Sequence, residues 1–280
     1  MPAKTTCPLP LQNPAAGRGT GVLLLHGLCG SPAEMAFVAR GLERAGYDVH
    51  CPVLAGHCDT EDALSETCWQ DWYDSAEAGL RLLAERCEKI VVAGLSTGAV
   101  LALRLAVKNP ELVSGLALYS PTLWLNGRRV PWSAALFRLV RSRALARFFR
   151  FPASVDFGIK DQRLRAIISN AVAAPGAPTG KRTTPGIAAL ERQRLVETVA
   201  PDIHHVTAPV LIMHPREDAY AGLSNATRLQ ERLGGPVDLV VLEDSYHLVT
   251  VDRQRGLVLE RTLDFLARIG ETRLAKRAFH

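Results

Sequence analysis

The stretch Val91-Val92-Ala93-Gly94-Leu95-Ser96-Thr97-Gly98-Ala99-Val100 decides how this chain folds. A short apolar, β-branched run stops at Gly94, and a helical pattern starts directly after Ser96. A strand therefore feeds a helix through a turn too tight for ordinary residues. Gly94 and Gly98 flank the serine because a side chain at either place would collide with the neighbouring strand and helix. Ser96 is expected in a strained backbone conformation that non-glycine residues seldom adopt without a functional reason. Its hydroxyl then stands at the carboxyl end of a sheet strand, as in a nucleophile elbow.

The five-residue pattern alone would arise by accident in about one chain in ten of this length, so its partners must be found elsewhere. Upstream, the apolar run from Gly21 to Leu25 reads as a strand buried on both faces. It ends at His26-Gly27-Leu28, where a backbone N–H can point toward the serine. The amides of Leu28 and Thr97 would form a two-donor oxyanion hole. Ser31, Pro32 and Glu34 mark a helix start, and that helix ends near Ala45-Gly46. Gly17, Gly19 and Gly21 precede the strand rather than follow it, which excludes a dinucleotide-binding loop. A strand from Tyr47 to Pro52, a loop holding His57, and a helix from about Cys68 to Cys87 lead into the elbow strand.

Downstream, the elbow helix ends at Asn109-Pro110 and a strand spans Val113 to Tyr119. The alternation then lapses between Pro121 and about Ala200. That segment holds a basic amphipathic stretch (Trp132 to Phe151) that reads as a cap helix with its arginines in water, a helix near Asp161 to Ala173, a Pro/Gly-rich loop from Ala174 to Gly186, and a helix to Val199. Strand-helix alternation resumes at Pro209 and continues through a helix near Ser224 to Leu233. A strand from Val237 to Leu242 and a last helix from about Arg253 to Ile269 complete it. The expected fold is α/β, with a mostly parallel, doubly wound sheet and an inserted helical cap. Residues 21–120 and 201–270 form its core, 121–200 the cap, 1–20 a flexible N-terminal segment and 271–280 a loose tail.

Two loops at the ends of the late strands supply the remaining chemistry. After His214 comes Pro215-Arg216-Glu217-Asp218, where a carboxylate is positioned to orient a histidine. Asp218 is preferred over Glu217, which lies on the wrong side of the turn, although spacing leaves one residue of register open. After the last strand, Glu243-Asp244-Ser245-Tyr246-His247 brings a histidine within reach of Ser96. Held by Asp218 on one nitrogen, His247 would accept the serine proton on the other. Asp244, three residues away in the same loop, is the alternative acid and fits better as a shaper of the turn.

These pieces resemble the α/β-hydrolase superfamily, in particular bacterial carboxylesterases and monoacylglycerol-lipase-like enzymes, catalogued with serine-aminopeptidase-type hydrolases. The matching stretches are LLLHGLCGSPAEM, PVLAGHC, GLSTG, PVLIMHPREDAY and DSYHLVTVD, spread from about residue 21 to 270. The resemblance implies a Ser96–Asp218–His247 triad, oxyanion donors at Leu28 and Thr97, and cleavage of short- to medium-chain carboxylic esters without cofactor or metal. The family often has a bulkier Met or Leu where Thr97 stands, which bears on the shape of the acyl pocket. An acyl thioesterase would use the same residues; an aminopeptidase lacks support because nothing marks an acidic amine pocket. A non-catalytic binding protein on this fold commonly lacks a triad member, and here all three are present.

Charge and cysteines bound the partners and compartment. The formal charge of +5 conceals a local surplus, because residues 128–165 alone carry a net +8. That surplus could steer an anionic acyl carrier or an anionic membrane surface to the cap; no nucleic-acid partner is expected. No apolar run approaches the length of a membrane span, and the N-terminus lacks the apolar core of a signal peptide. Six cysteines without paired spacing read as scattered reduced thiols of a cytoplasmic protein.

Overall fold

A computed structural model describes residues 11–13, 19–128, 130, 136–152, 156, 158–173 and 183–277. Nine strands are found among them: β1 (Leu11–Asn13), β2 (Thr20–Leu25), β3 (Asp48–Cys51), β4 (Lys89–Leu95), β5 (Val113–Tyr119), β6 (Arg150–Pro152), β7 (Thr183–Pro185), β8 (Val210–Pro215) and β9 (Val237–Leu242). The α-helices are α1 (Ala36–Arg44), α2 (Glu61–Glu66), α3 (Trp69–Ala84), α4 (Thr97–Lys108), α5 (Arg143–Ala146), α6 (Gln162–Ala173), α7 (Gly186–Val199), α8 (Ser224–Arg232) and α9 (Arg255–Arg277).

Seven strands form one sheet in the order β1-β3-β2-β4-β5-β8-β9. Every pairing is parallel except β1 with β3. The central strands carry apolar residues on both faces because both faces are covered. Leu23, Leu25, Val92 and Leu118 meet α3 and α4 on one side, whereas Val22, Leu24, Val91 and Ala117 meet α1 and α9 on the other. The elbow strand β4 lies mid-sheet between β2 and β5, so its carboxyl end opens among three other strand ends.

The two glycines of the elbow answer to contacts that leave no room for a methyl group. A Cβ on Gly94 would lie 2.2 Å from the Gly98 carbonyl oxygen, and one on Gly98 only 2.3 Å from the Leu25 oxygen. Those oxygens belong to buried backbone and cannot retreat. Gly98→Ala is expected to destabilise the protein by about 3 kcal/mol through overpacking, seen as a lower urea midpoint at unchanged slope.

Leu11–Asn13 pair antiparallel with Cys51, His50 and Val49. Three local expectations are corrected. The last helix, α9, continues past Ile269 to Arg277. The Pro32 start is a 3₁₀ turn, Pro32–Met35, capped by the Ser31 hydroxyl, before α1 proper begins. Most consequentially, the described part of the 132–151 stretch is not one helix. Residues 136–137 are helical and give way to a turn, α5 spans four residues, and β6 pairs with β7 across more than thirty residues of chain. Residues 131–135, including Trp132, and 174–182 lie outside the described residues.

Candidate active site

Ser96 has φ 56° and ψ −110°, the strained turn expected of a side chain thrust clear of its strand. Its amide donates to the Tyr119 carbonyl at 2.9 Å, fastening the turn to the end of β5. The loop after β2 lies alongside, since a Cβ on Gly27 would stand 3.7 Å from Ser96 Cβ. Neither the Leu28 nor the Thr97 amide donates to another described residue. Two free N–H groups at the end of β2 and the first turn of α4 are what an oxyanion site requires.

Asp218 and His247 meet. The His247 Nδ1 donates to Asp218 Oδ2 at 2.7 Å, while Asp218 Oδ1 accepts from the Tyr220 and Ala221 amides. Burial pushes the Asp218 carboxyl up, but His247, His214 and the Ala221 amide outweigh it and hold the group below the usual carboxylate range. An ionised Asp218 accepts only, so the Nδ1 proton stays on His247 and Nε2 presents a lone pair. Asp244 is exposed and bonded to Arg253 and Lys160, and Glu217 pairs with Lys160 and Arg128. Of these carboxylates, Asp218 is the one that contacts His247.

Ser96 and His247 are fastened to the same short segment, Tyr119 to Thr122. The Ser120 hydroxyl donates to the His247 carbonyl at 2.7 Å, and the Thr122 hydroxyl donates to the Ser120 carbonyl at 2.9 Å. Thr122 Oγ1 in turn accepts from Ser96 Oγ at 3.3 Å, a long and weak bond. From the insertion, Arg192 on α7 donates to the Thr122 carbonyl at 2.6 Å. Sequence reasoning missed Ser120, Thr122 and Arg192; the last stands on the apolar stripe of its helix, and that misfit was the available signal.

Two further groups shape the loop after β2. His26, fully buried, accepts from the Leu54 amide on Nε2 at 3.2 Å and places Nδ1 3.0 Å from the Gly27 carbonyl. His57 packs edge-on between the rings of His26 and Trp72, a structural place rather than a reactive one. Glu34 folds back so that its carboxylate accepts from the Gly27 amide at 3.1 Å and occupies the space a Gly30 side chain would need. Burial drives its carboxyl up to about 7, with the Gly27 amide and His247 pulling the other way.

Folded Glu34 thus keeps its proton to about pH 7, whereas unfolded it releases near 4.5. Stability therefore declines as pH rises between those values. Glu34→Gln preserves the acceptor for Gly27 but cannot ionise. It is expected to match the wild type below pH 4.5 and to be roughly 3 kcal/mol more stable above pH 7, as urea midpoints at the two extremes would reveal.

The basic surplus of residues 128–165 is paired in part. Arg141 binds Glu197, Arg143 binds Glu191, Arg150 binds Glu61, and Arg128 binds Glu217. Around them Leu139 is 77% exposed and Phe148 72%, with Arg147 lying over the Phe148 ring. Among the described residues, Cys51, Cys68 and Cys87 are free thiols, and no helix is long and apolar enough to cross a membrane.

Known proteins are similar to this one along most of the chain. A thermostable monoacylglycerol lipase of Bacillus sp. (strain H-257) is 28% identical over 249 residues, covering 89% of this chain and 90% of the relative. A carboxylesterase of Bacillus subtilis (strain 168) is 24% identical over 256 residues, covering 90% and 94%. A solved structure from work on LipS and LipT, two metagenome-derived lipolytic enzymes, superimposes with a TM-score of 0.77 at 29% identity, covering 92% of this chain and 97% of that one. The fold is that of the α/β-hydrolases. The family model described as serine aminopeptidase, S33 (Hydrolase_4) matches residues 18–254, from β2 through His247, and the chain belongs to that family.

Proposed function

We propose that this chain is a serine hydrolase cleaving short- to medium-chain carboxylic esters through an acyl-enzyme on Ser96. The relatives named above, a lipase and an esterase, support ester hydrolysis. The observation that carries the finer reading is the buried His247–Asp218 pair, 2.7 Å apart and tied through Ser120 to the strand end that also holds Ser96.

In this reading Ser96 Oγ attacks the ester carbonyl carbon while His247 Nε2 takes its proton. The Leu28 and Thr97 amides receive the negative oxygen, each donor contributing about 3–4 kcal/mol at the transition state. Collapse expels the alcohol with the proton held on His247, and water repeats the sequence on the acyl-enzyme. Residues 21–120 and 201–270 serve as the catalytic core and 121–200 as a cap over the acyl group. Scattered thiols, Cys51, Cys68 and Cys87 among them, favour a cytoplasmic setting. An anionic carrier or membrane surface is the less favoured partner, because glutamates already pair with Arg141, Arg143 and Arg150.

The test is a fluorophosphonate label mapped by mass spectrometry, followed by p-nitrophenyl esters of increasing acyl length and matched acyl-CoA thioesters. Labelling at Ser96 with turnover of esters from acetate to about octanoate is the expected result. Labelling at another residue, or turnover confined to thioesters, would overturn the reading.

A further inference from the structure

Helix α7 buries Ala188, Leu195 and Val199 against α4, and Arg192 lies on that same stripe, one turn after Ala188 and just under one before Leu195. A leucine would suit that position. Instead a guanidinium is enclosed there, with the residue only 8% exposed. Its Nη2 donates to the carbonyls of Thr122 and Leu123 at 2.6 and 3.4 Å. Nε and Nη1 bond to no other described residue. Donors therefore remain that the protein itself does not use.

No carboxylate answers this charge among the described residues. The adjacent Glu191 is taken by Arg143 and Arg194, at 2.7 and 2.8 Å, and Asp218 by His247. Burial pulls the Arg192 pKa down to about 10, and the nearby Arg138 adds to the effect. A second positive charge beside an enclosed one is an arrangement that an anion would relieve. The place is equally telling. The Arg192 guanidinium holds the carbonyl of Thr122, whose hydroxyl accepts from Ser96, so a single residue connects the cation to the nucleophile.

We propose that Arg192 is the recognition point for an anionic group carried by the substrate, so that the ester turned over at Ser96 bears a carboxylate. The inference rests on the esterase reading of Ser96 and names a substrate class for it. A planar guanidinium with a free edge takes a carboxylate through two parallel hydrogen bonds, which a lysine cannot reproduce. The clamp on Thr122 fixes the guanidinium plane, so little side-chain freedom is lost on binding.

The experiment compares matched esters in the wild type first. On the acyl side, mono-p-nitrophenyl adipate is set against p-nitrophenyl hexanoate; on the alcohol side, the butyrate ester of 4-hydroxybenzoate against that of 4-hydroxybenzamide. A preference of about 10- to 100-fold in kcat/KM for the charged member of at least one pair is expected. Arg192→Met should bring that ratio to one or below, and Arg192→Lys should restore part of it. Absence of preference in both pairs overturns the proposal without recourse to any variant. Equal loss on charged and neutral esters in Arg192→Met would also overturn it, leaving Arg192 as a clamp on Thr122 alone. If no ester is hydrolysed at all, the reading of Ser96 itself fails, which is a distinguishable outcome.

Discussion

Ser96→Ala is expected to lower kcat for p-nitrophenyl esters by about 10⁴- to 10⁶-fold and to abolish fluorophosphonate labelling. The residual rate would come from the Leu28 and Thr97 amides and from binding, which survive the substitution. Stability should barely change. Alanine keeps the Cβ that already sits at φ 56°, and the bond lost, from Ser96 Oγ to Thr122, is 3.3 Å long and worth well under about 1 kcal/mol. A large drop in the urea midpoint together with retained hydrolysis would contradict both halves of the expectation.

Asp218→Asn is expected to cost about 10⁴-fold in kcat with the geometry intact. Asn can still accept from the Tyr220 and Ala221 amides, as Asp218 Oδ1 does now. Its amide nitrogen then faces His247 Nδ1 and donates where the carboxylate accepted. The histidine proton moves to Nε2, and the lone pair that would take the Ser96 proton is gone. Burial, which raises the Asp218 pKa, is overcome by His247, so the folded value lies below the unfolded one. This carboxylate therefore contributes stability above about pH 4, lost as pH falls through its lower folded value. The Asn variant should show a flatter acid limb in its stability profile. Hydrolysis at near wild-type rate would show that the Asp218–His247 contact serves the fold alone.

The legible part of this molecule was the part where backbone geometry demands particular residues. Gly94 and Gly98 are required by oxygens barely more than 2 Å from where a Cβ would sit, so the demand shows in the sequence. His26, Asp218 and His247 each follow an apolar run at a strand end, and the order of those ends reproduces the order in space. The 132–151 stretch misled because arginines and aromatic residues at helical spacing also suit a chain that turns, forms α5 and then pairs as β6. That pairing, Phe151 with Thr184, is set by contacts between distant residues and leaves no local periodicity. The same applies to its charge. Glu61, Glu191, Glu197 and Glu217 neutralise arginines remote from them in sequence, so a local count of +8 overstates the field. Glu34 was read as a first-turn acid; its contact with Gly27 emerges only when the chain folds back on itself. Leu11–Asn13 is too short a strand for alternation to declare itself.

The four residues from Tyr119 to Thr122 hold the Ser96 amide, the Ser96 hydroxyl and the His247 carbonyl, and the Ser120 amide binds the Met213 carbonyl on β8. Ser96 and His247 are thus suspended from a common beam instead of from two independent loops. Displacements of that beam carry both groups in the same direction, and their spacing is insulated from breathing of the chain around them. The Arg192 guanidinium reaches the beam from the insertion through the Thr122 carbonyl. Rearrangement of the insertion would accordingly tilt the whole assembly at one end, changing how substrate is offered to the pair more than how the pair is tuned.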